Sequence, residues 1–266
     1  MNQNPRPWLS IITVCYNDCV NLRRTLQNIR EQKCKFIQLI VVDGDSTDDT
    51  KTVIHAYTDV ITDWISEKDA GLYNAMNKGI NLAKGEYIVF LNAGDVFHDP
   101  QVISYLYSHQ HQEDILYGNA VFVHPDGRYK SPRHKILPKT LDWRSFKSGM
   151  VVCHQALIVK TSVALLYDIQ YKICADLDWA IRTTKNAKST LNLGITICDF
   201  QRGGLSDKKR KLALVERWKI LVRYFGLLQT IWSHLNIPLA FLLWKMNGRM
   251  ETRLRQVKPS LEQRTV

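Results

Sequence analysis

Through its first hundred residues the chain alternates short apolar runs rich in β-branched residues with longer stretches whose apolar positions recur every three or four residues. The runs WLSIITVCY (8–16), FIQLIVVD (36–43) and EYIVFL (86–91) read as strands. Between the first two, DCVNLRRTLQNIREQ (18–32) places Leu22, Leu26 and Ile29 on one helical face. Residues 46–57 read as a second helix, with Ser46 as its N-cap and acids in its first turn, where they suit the positive end of a helix. A short strand at 60–66 then precedes a helix over 72–83 that lines up Leu72, Met76, Gly79, Ile80 and Ala83. Strand and helix alternating at this spacing predict a mostly parallel α/β sheet flanked by helices on both faces. Ligands of such a sheet collect at the carboxyl ends of its strands.

Beyond residue 100 the pattern changes. DILYGNAVFVHPDGRYK (114–130) reads as a β-hairpin turning at Asp126-Gly127. A strand at 155–160, a helix near 176–187 and a strand near 190–199 complete the body. The stretch QRGGLSDKKRK (201–211) marks a shift in composition and is read as a hinge, dividing the chain into a catalytic body, 1–205, and a tail, 206–266.

Charge sharpens that division. Residues 202–266 hold 14 Lys and Arg against 4 Asp and Glu, so the tail carries +10 of the net +11. A neutral body argues against nucleic acid as the partner, and a basic tail containing tryptophan fits an anionic membrane surface. Leu212, Val215, Trp218, Leu221, Val222 and Phe225 recur at helical spacing among basic residues, the pattern of a basic amphipathic helix. Residues 224–244 lack formal charge over the length of a membrane span, but Gln229, Ser233, His234, Asn236 and Pro238 interrupt them. Lying on the membrane is therefore favoured over crossing it. The six cysteines are scattered without a C-x-x-C pair, which indicates free thiols in a reducing compartment. The N-terminus shows no secretory pattern, so the body is expected at the cytoplasmic face.

Acidic groups fall where the strands and helices meet: Asp43-Gly-Asp45, Glu67-Lys-Asp69, Asp95 and Asp176-Leu-Asp178. Each alone is ordinary turn chemistry, whereas four converging on one crevice call for a metal or a cationic ligand. Neither a G-x-G-x-x-G nor a G-x-x-x-x-G-K-[ST] stretch is present, which removes the usual signatures of dinucleotide binding and P-loop hydrolysis.

LSIITVCYN (9–17), VVDGDSTDDT (41–50), SEKDAGLYNAMNKG (66–79), GEYIVFLNAGD (85–95) and ICADLDWAIR (173–182) resemble, in order and spacing, the motifs of family 2 glycosyltransferases. The resemblance covers roughly residues 8–205, and it is strongest to the bacterial branch that builds capsule, colanic-acid and O-antigen repeat units. It implies a GT-A fold, a nucleotide-diphosphate sugar donor, inversion at the anomeric carbon and an acceptor saccharide linked to a polyprenyl diphosphate. By resemblance Thr13, Tyr16, Asn17, Asp43, Asp45 and Asp69 line the nucleotide site, and Asn77, Lys78 and Asn92 contact the donor. Asp95 would be the last acid of a D-x-D-type motif holding Mg²⁺ or Mn²⁺, here thinned to Asn92-Ala93-Gly94-Asp95. Asp176 stands at the position of the general base, a group the chemistry needs because a sugar hydroxyl is a poor nucleophile. An acid there would equally serve to cap the following helix. His154, Gln155, Asp178, Trp179 and Arg202 are the acceptor-side or lid residues the resemblance suggests. Two other classes stay open on sequence: a sugar nucleotidyltransferase, and a non-catalytic membrane-bound relative that keeps the fold.

Overall fold

The structure is a computed structural model that describes residues 6–109, 111–124, 130–133 and 135–233. Strands β1 (Leu9–Cys15), β2 (Ile37–Asp43), β3 (Asp63–Ser66) and β4 (Tyr87–Phe90) pair in parallel in the order β3-β2-β1-β4. Helices α1 (Cys19–Glu31), α2 (Thr50–Ala56) and α3 (Leu72–Leu82) provide the crossovers. β1 is buried along its whole length, which explains why it reads as a continuous apolar run rather than an alternating one. Because β2 lies on one side of β1 and β4 on the other, the chain reverses direction across the sheet there, and a crevice opens at the carboxyl ends of these strands.

The second half departs from the parallel pattern. β5 (Val96–Phe97) and the helix α4 (Val102–Ser108) follow the crevice. β6 (Ile115–Val123), β7 (Lys130–Pro132), β8 (Leu157–Lys160) and β9 (Thr190–Gln201) extend the same sheet in the order β4-β8-β6-β9-β5, with β7 alongside β6. β8 runs antiparallel to both β4 and β6, while β6 and β9 are parallel through a register shift. β6 and β7 form the expected antiparallel pair, and its Asp126-Gly127 turn lies outside the described residues. The product is a mixed, curled sheet flanked by helices.

The helix α3 approaches β1 closely at Gly79, where an added Cβ would lie 2.3 Å from Ile12 Cγ2. Gly79→Ala is expected to overpack this contact and cost roughly 1–3 kcal/mol, read as a lower urea midpoint with unchanged slope. Ser46 does not cap α2. Its hydroxyl and amide both point to Asp43, and Asp48 Oδ1 accepts from Thr50 N at 3.0 Å in its place.

The tail's first long helix packs against the body. After the short α6 (Leu205–Lys208), α7 (Arg210–Phe225) buries Glu216, Ile220 and Leu221, and Phe225 stacks on Trp143 at 5.5 Å between ring centroids. The expected amphipathic face is thereby divided, its C-terminal half docking on the body while Leu212, Leu214 and Val215 stay exposed. Gly226, at φ +79, interrupts the helix before residues 227–233 resume it. Among the described residues no helix is long and apolar enough to cross a membrane. Residues 234–244 of the possible span lie outside them.

Candidate active site

At the ends of β1 and β2 the backbone turns through two left-handed residues, Asn17 (φ +48) and Asp45 (φ +64), types that tolerate this conformation. Asn17 pins the two loops together: its N–H donates to Ser46 Oγ at 2.8 Å and its Oδ1 accepts from Thr47 N at 2.8 Å. Tyr16 is left 64% exposed, its ring beside Gly44. A Cβ on Gly44 would lie 3.0 Å from Asp69 Oδ2 and 3.2 Å from Tyr16 Cδ2, so this glycine lets the tyrosine ring and the carboxylate both close in on the strand end. An open aromatic face with a carboxylate beside it is the kind of slot that suits a base or ribose.

Other residues expected to touch the donor are committed to the protein. Asp43 is fully buried, with Oδ2 accepting from Ser66 Oγ at 2.6 Å and from Ser46 N at 3.0 Å, and it organises the strand ends from beneath. Thr13 is buried and donates to Leu91 O. Asp45 pairs with Lys51 at 2.9 Å. Lys78 is held by Asp69 at 2.6 Å, Glu67 at 2.9 Å and Lys68 O at 3.1 Å, which takes up its three donors rather than leaving one for a phosphate. Asn77 clamps both the N–H and the carbonyl of Tyr167. Asn92 is the exception, with a buried Oδ1 that has no hydrogen-bond partner.

Asp95, the expected metal ligand, is engaged by the protein on both oxygens. It is 3% exposed, Oδ1 accepts from Gln201 N at 3.0 Å, and Oδ2 accepts from Gln155 Nε2 at 2.8 Å. Burial lifts its carboxyl to about 7. Among the described residues no group of three His, Cys, Asp or Glu side chains could hold a metal ion. Asp95 would therefore offer a Mg²⁺ or Mn²⁺ ion one carboxylate, already bonded to Gln155 and Gln201, with the remaining ligands to come from the donor's diphosphate and water.

The helix α5 (Ala175–Asn186) carries Asp176 in its first turn. Asp176 Oδ1 accepts from Leu177 N at 2.9 Å and from Tyr73 Oη at 3.4 Å. Its Oδ2 takes no hydrogen bond and lies 3.9 Å from His154 Nδ1, with the side chain 26% exposed. Burial raises the carboxyl to about 6, against the lowering pull of those donors and of Arg133. His154, depressed to about 4 by burial and by Arg133, is neutral at physiological pH. Asp176 thus has one oxygen on the helix start and the other without a hydrogen bond. Tyr73, four residues beyond Asp69 in the chain, donates from Oη to Ile173 O at 2.6 Å and approaches Asp176 Oδ1 at 3.4 Å, a contact with no sequence signal beyond the tyrosine's place in the motif.

Asp178 and Trp179 are not acceptor-side residues. Asp178 is fully buried, paired with Arg182 at 2.6 Å and accepting from Tyr224 Oη at 2.8 Å. Trp179 is fully buried and stacked on Tyr167 at 5.1 Å. Arg202 is exposed, its guanidinium 5.2 Å from the Phe122 ring beyond the end of β9.

The profile of Glycosyl transferase family 2 matches residues 10–164. The chain belongs to this family. Among similar family members, a PGL/p-HBAD biosynthesis glycosyltransferase of Mycobacterium bovis is 28% identical over 76% of this chain and 80% of its own length. An uncharacterized glycosyltransferase of Mycobacterium tuberculosis is 30% identical over 78% and 80%. Among solved structures, Staphylococcus aureus TarS 1–349 in complex with UDP-GlcNAc superposes with a TM-score of 0.65 at 16% identity, covering 82% of this chain and 71% of TarS. The mannosyltransferase PcManGT of Pyrobaculum calidifontis, in complex with GDP-Man and Mn²⁺, gives 0.59 at 18%, covering 82% and 65%. These neighbours share the GT-A fold of this family 2 enzyme.

Proposed function

We propose that this glycosyltransferase moves a sugar, with inversion, from a nucleotide-diphosphate sugar to a saccharide carried on a lipid diphosphate. The product would belong to a bacterial surface polysaccharide of the capsule, colanic-acid or O-antigen kind. The observation that carries the reading is Asp176 Oδ2, which takes no hydrogen bond at the start of α5, taken with the slot where the exposed face of Tyr16 and the Asp69 carboxylate meet at Gly44. In this reading the slot takes the nucleotide and Asp176 Oδ2 accepts the proton of an acceptor hydroxyl. The hydroxyl oxygen forms a bond to the anomeric carbon from the face opposite the leaving group. The carbon–oxygen bond to phosphate breaks with its electron pair, releasing a nucleoside diphosphate. A carboxyl near 6 suits this role, since it is ionised at neutral pH yet basic enough to hold the proton.

The exposed Leu212, Leu214, Val215, Leu228 and Trp232 lie on the same stretch of chain as Lys208, Lys209, Arg210 and Lys211, which supports peripheral attachment to an anionic cytoplasmic membrane face. Partial release by high salt and full resistance to neither salt nor carbonate are the expected fractionation results.

The test of the function is release of nucleoside diphosphate from a panel of UDP-, GDP- and dTDP-sugars, with and without a lipid-diphosphate saccharide. Acceptor-dependent release supports transfer, and its absence with every donor removes the reading. Divalent-ion use is read separately. Since the strand ends present one unpaired amide oxygen and no free carboxylate at Asp95, Mn²⁺ alone is expected to leave the melting temperature unchanged. A saturating nucleoside diphosphate should raise it by about 5 °C.

A further inference from the structure

The backbone from Ser148 to Val151, which leads into His154, is surrounded by positive charge. Arg133, just past β7, donates Nη1 to Val151 O at 3.2 Å and Nη2 to Met150 O at 3.0 Å. Lys135 Nζ donates to Ser148 O at 2.7 Å, and Arg217 of α7 donates Nη2 to the same oxygen at 2.8 Å. Among the described residues none of the three has a carboxylate in ion-pairing distance. Glu216, the neighbour of Arg217, spends its carboxylate on the backbone N–H groups of Lys172, Ile173 and Cys174.

Stapling three carbonyls needs hydrogen-bond donors, but it does not need three like charges in one place. Each cation uses only one or two of its donors, and Arg217 Nε is buried with no partner. The placement of Arg217 is built in: Gly149 adopts φ +86, and a Cβ there would lie 2.8 Å from Cζ, Nε and Nη2 of the guanidinium. Burial, reinforced by Arg217 and Arg133, draws the Lys135 ammonium down to about 7. Among the described residues no carboxylate offsets this half-buried cluster, so a bound anion would stabilise it and restore the proton to Lys135. The cluster also adjoins the base, because the backbone that Arg133 holds at Met150 and Val151 runs on to His154, whose Nδ1 lies 3.9 Å from Asp176 Oδ2.

We infer that Arg133, Lys135 and Arg217 seat a phosphate or diphosphate group carried by the acceptor, beside Asp176. This rests on the transfer reading above and deepens it, since it makes the acceptor an anionic saccharide and gives α7 a share in the site. Guanidinium groups match the oxygens of a phosphate with paired N–H donors, and the ammonium adds a point charge. A sugar whose anomeric oxygen bears the diphosphate would then present a ring hydroxyl to Asp176.

The test is calorimetric titration of the full chain, its donor slot filled with whichever of UDP, GDP or dTDP binds. The probes are undecyl diphosphate, inorganic pyrophosphate and the neutral undecyl maltoside. Undecyl diphosphate is expected to bind about tenfold or more tighter than undecyl maltoside, and Lys135→Met and Arg217→Met should each weaken it by about tenfold. Pyrophosphate binding as tightly as undecyl diphosphate assigns the seat to a soluble phosphorylated saccharide; weaker pyrophosphate binding assigns it to a lipid-linked one. Equal affinity for the neutral and charged probes overturns the inference, as does undiminished diphosphate binding in a folded Lys135→Met. Lys135→Met decides the matter should Arg217→Met fail to melt cooperatively. Nucleotide release by the unmodified enzyme separates the two ideas: release without a diphosphate seat sinks this inference alone, and no release from any donor sinks the transfer reading.

Discussion

Asp176→Asn is expected to lower transfer by roughly 10²–10⁴-fold while leaving the fold and nucleotide affinity in place. Asparagine keeps the size of the side chain, and its Oδ1 still accepts from Leu177 N, so the start of α5 loses little. What disappears is the basic Oδ2, the oxygen without a hydrogen bond. The pH profile provides the second measurement. With the carboxyl at about 6, kcat/KM of the unmodified enzyme should climb through pH 6 and level off about one unit above it. The residual rate of Asp176→Asn should lack that limb. The same shift carries a stability sign. A carboxyl raised above its unfolded value holds its proton longer in the native state, so its contribution to stability falls as pH rises from about 4 to about 6. Asp178→Asn, by contrast, should loosen the contact between α5 and α7 with little effect on turnover per folded molecule. If Asp178→Asn is the dead variant, the base has been assigned to the wrong aspartate.

Glu216→Ala should destabilise the protein by about 3–5 kcal/mol, because three backbone N–H groups ahead of α5 lose one charged acceptor together. For a chain of this size that is a fall of about 10 °C in melting temperature. Glu216 is 6% exposed, so water replaces the lost oxygens poorly. The loop it holds runs directly into Asp176, and kcat should therefore fall among the molecules that remain folded. Glu216→Gln, which keeps one acceptor oxygen, should lie between the two. A Glu216→Ala protein that melts like the unmodified enzyme would show that α7 only rests on the body.

The parallel half of the fold was legible because its signals are local. β1, β2 and β4 are buried on both faces and so read as unbroken apolar runs, while α1 and α3 bury one stripe each, which leaves a period of three to four. Tyr16, Gly44 and Asp69 lie in motifs at strand ends, and strand ends converge in any sheet of this order. Asp176, in the first turn of α5 rather than at a strand end, was singled out by its place in the family motif.

The direction in which each acid points was not legible, since that depends on donors far away in the chain. Asp95 turns inward because Gln155 and Gln201, 60 and 106 residues on, present N–H groups to it. Asp43 turns inward because Ser46 and Ser66 meet it from two loops. Asp178 differs from Asp176 by two positions on one helix, which is enough to place it against Arg182 and Tyr224 instead of in the crevice. The charge excess of the tail was plain from composition, but its attachment was not. A helix with a basic, apolar pattern can lie on a membrane or on its own protein, and that choice falls to Glu216 at the start of α5 and to Arg217 on Gly149. Sequence periodicity records which side of an element is apolar, whereas the partner of a buried charge is set by packing, where an unpaired charge costs more than any local preference.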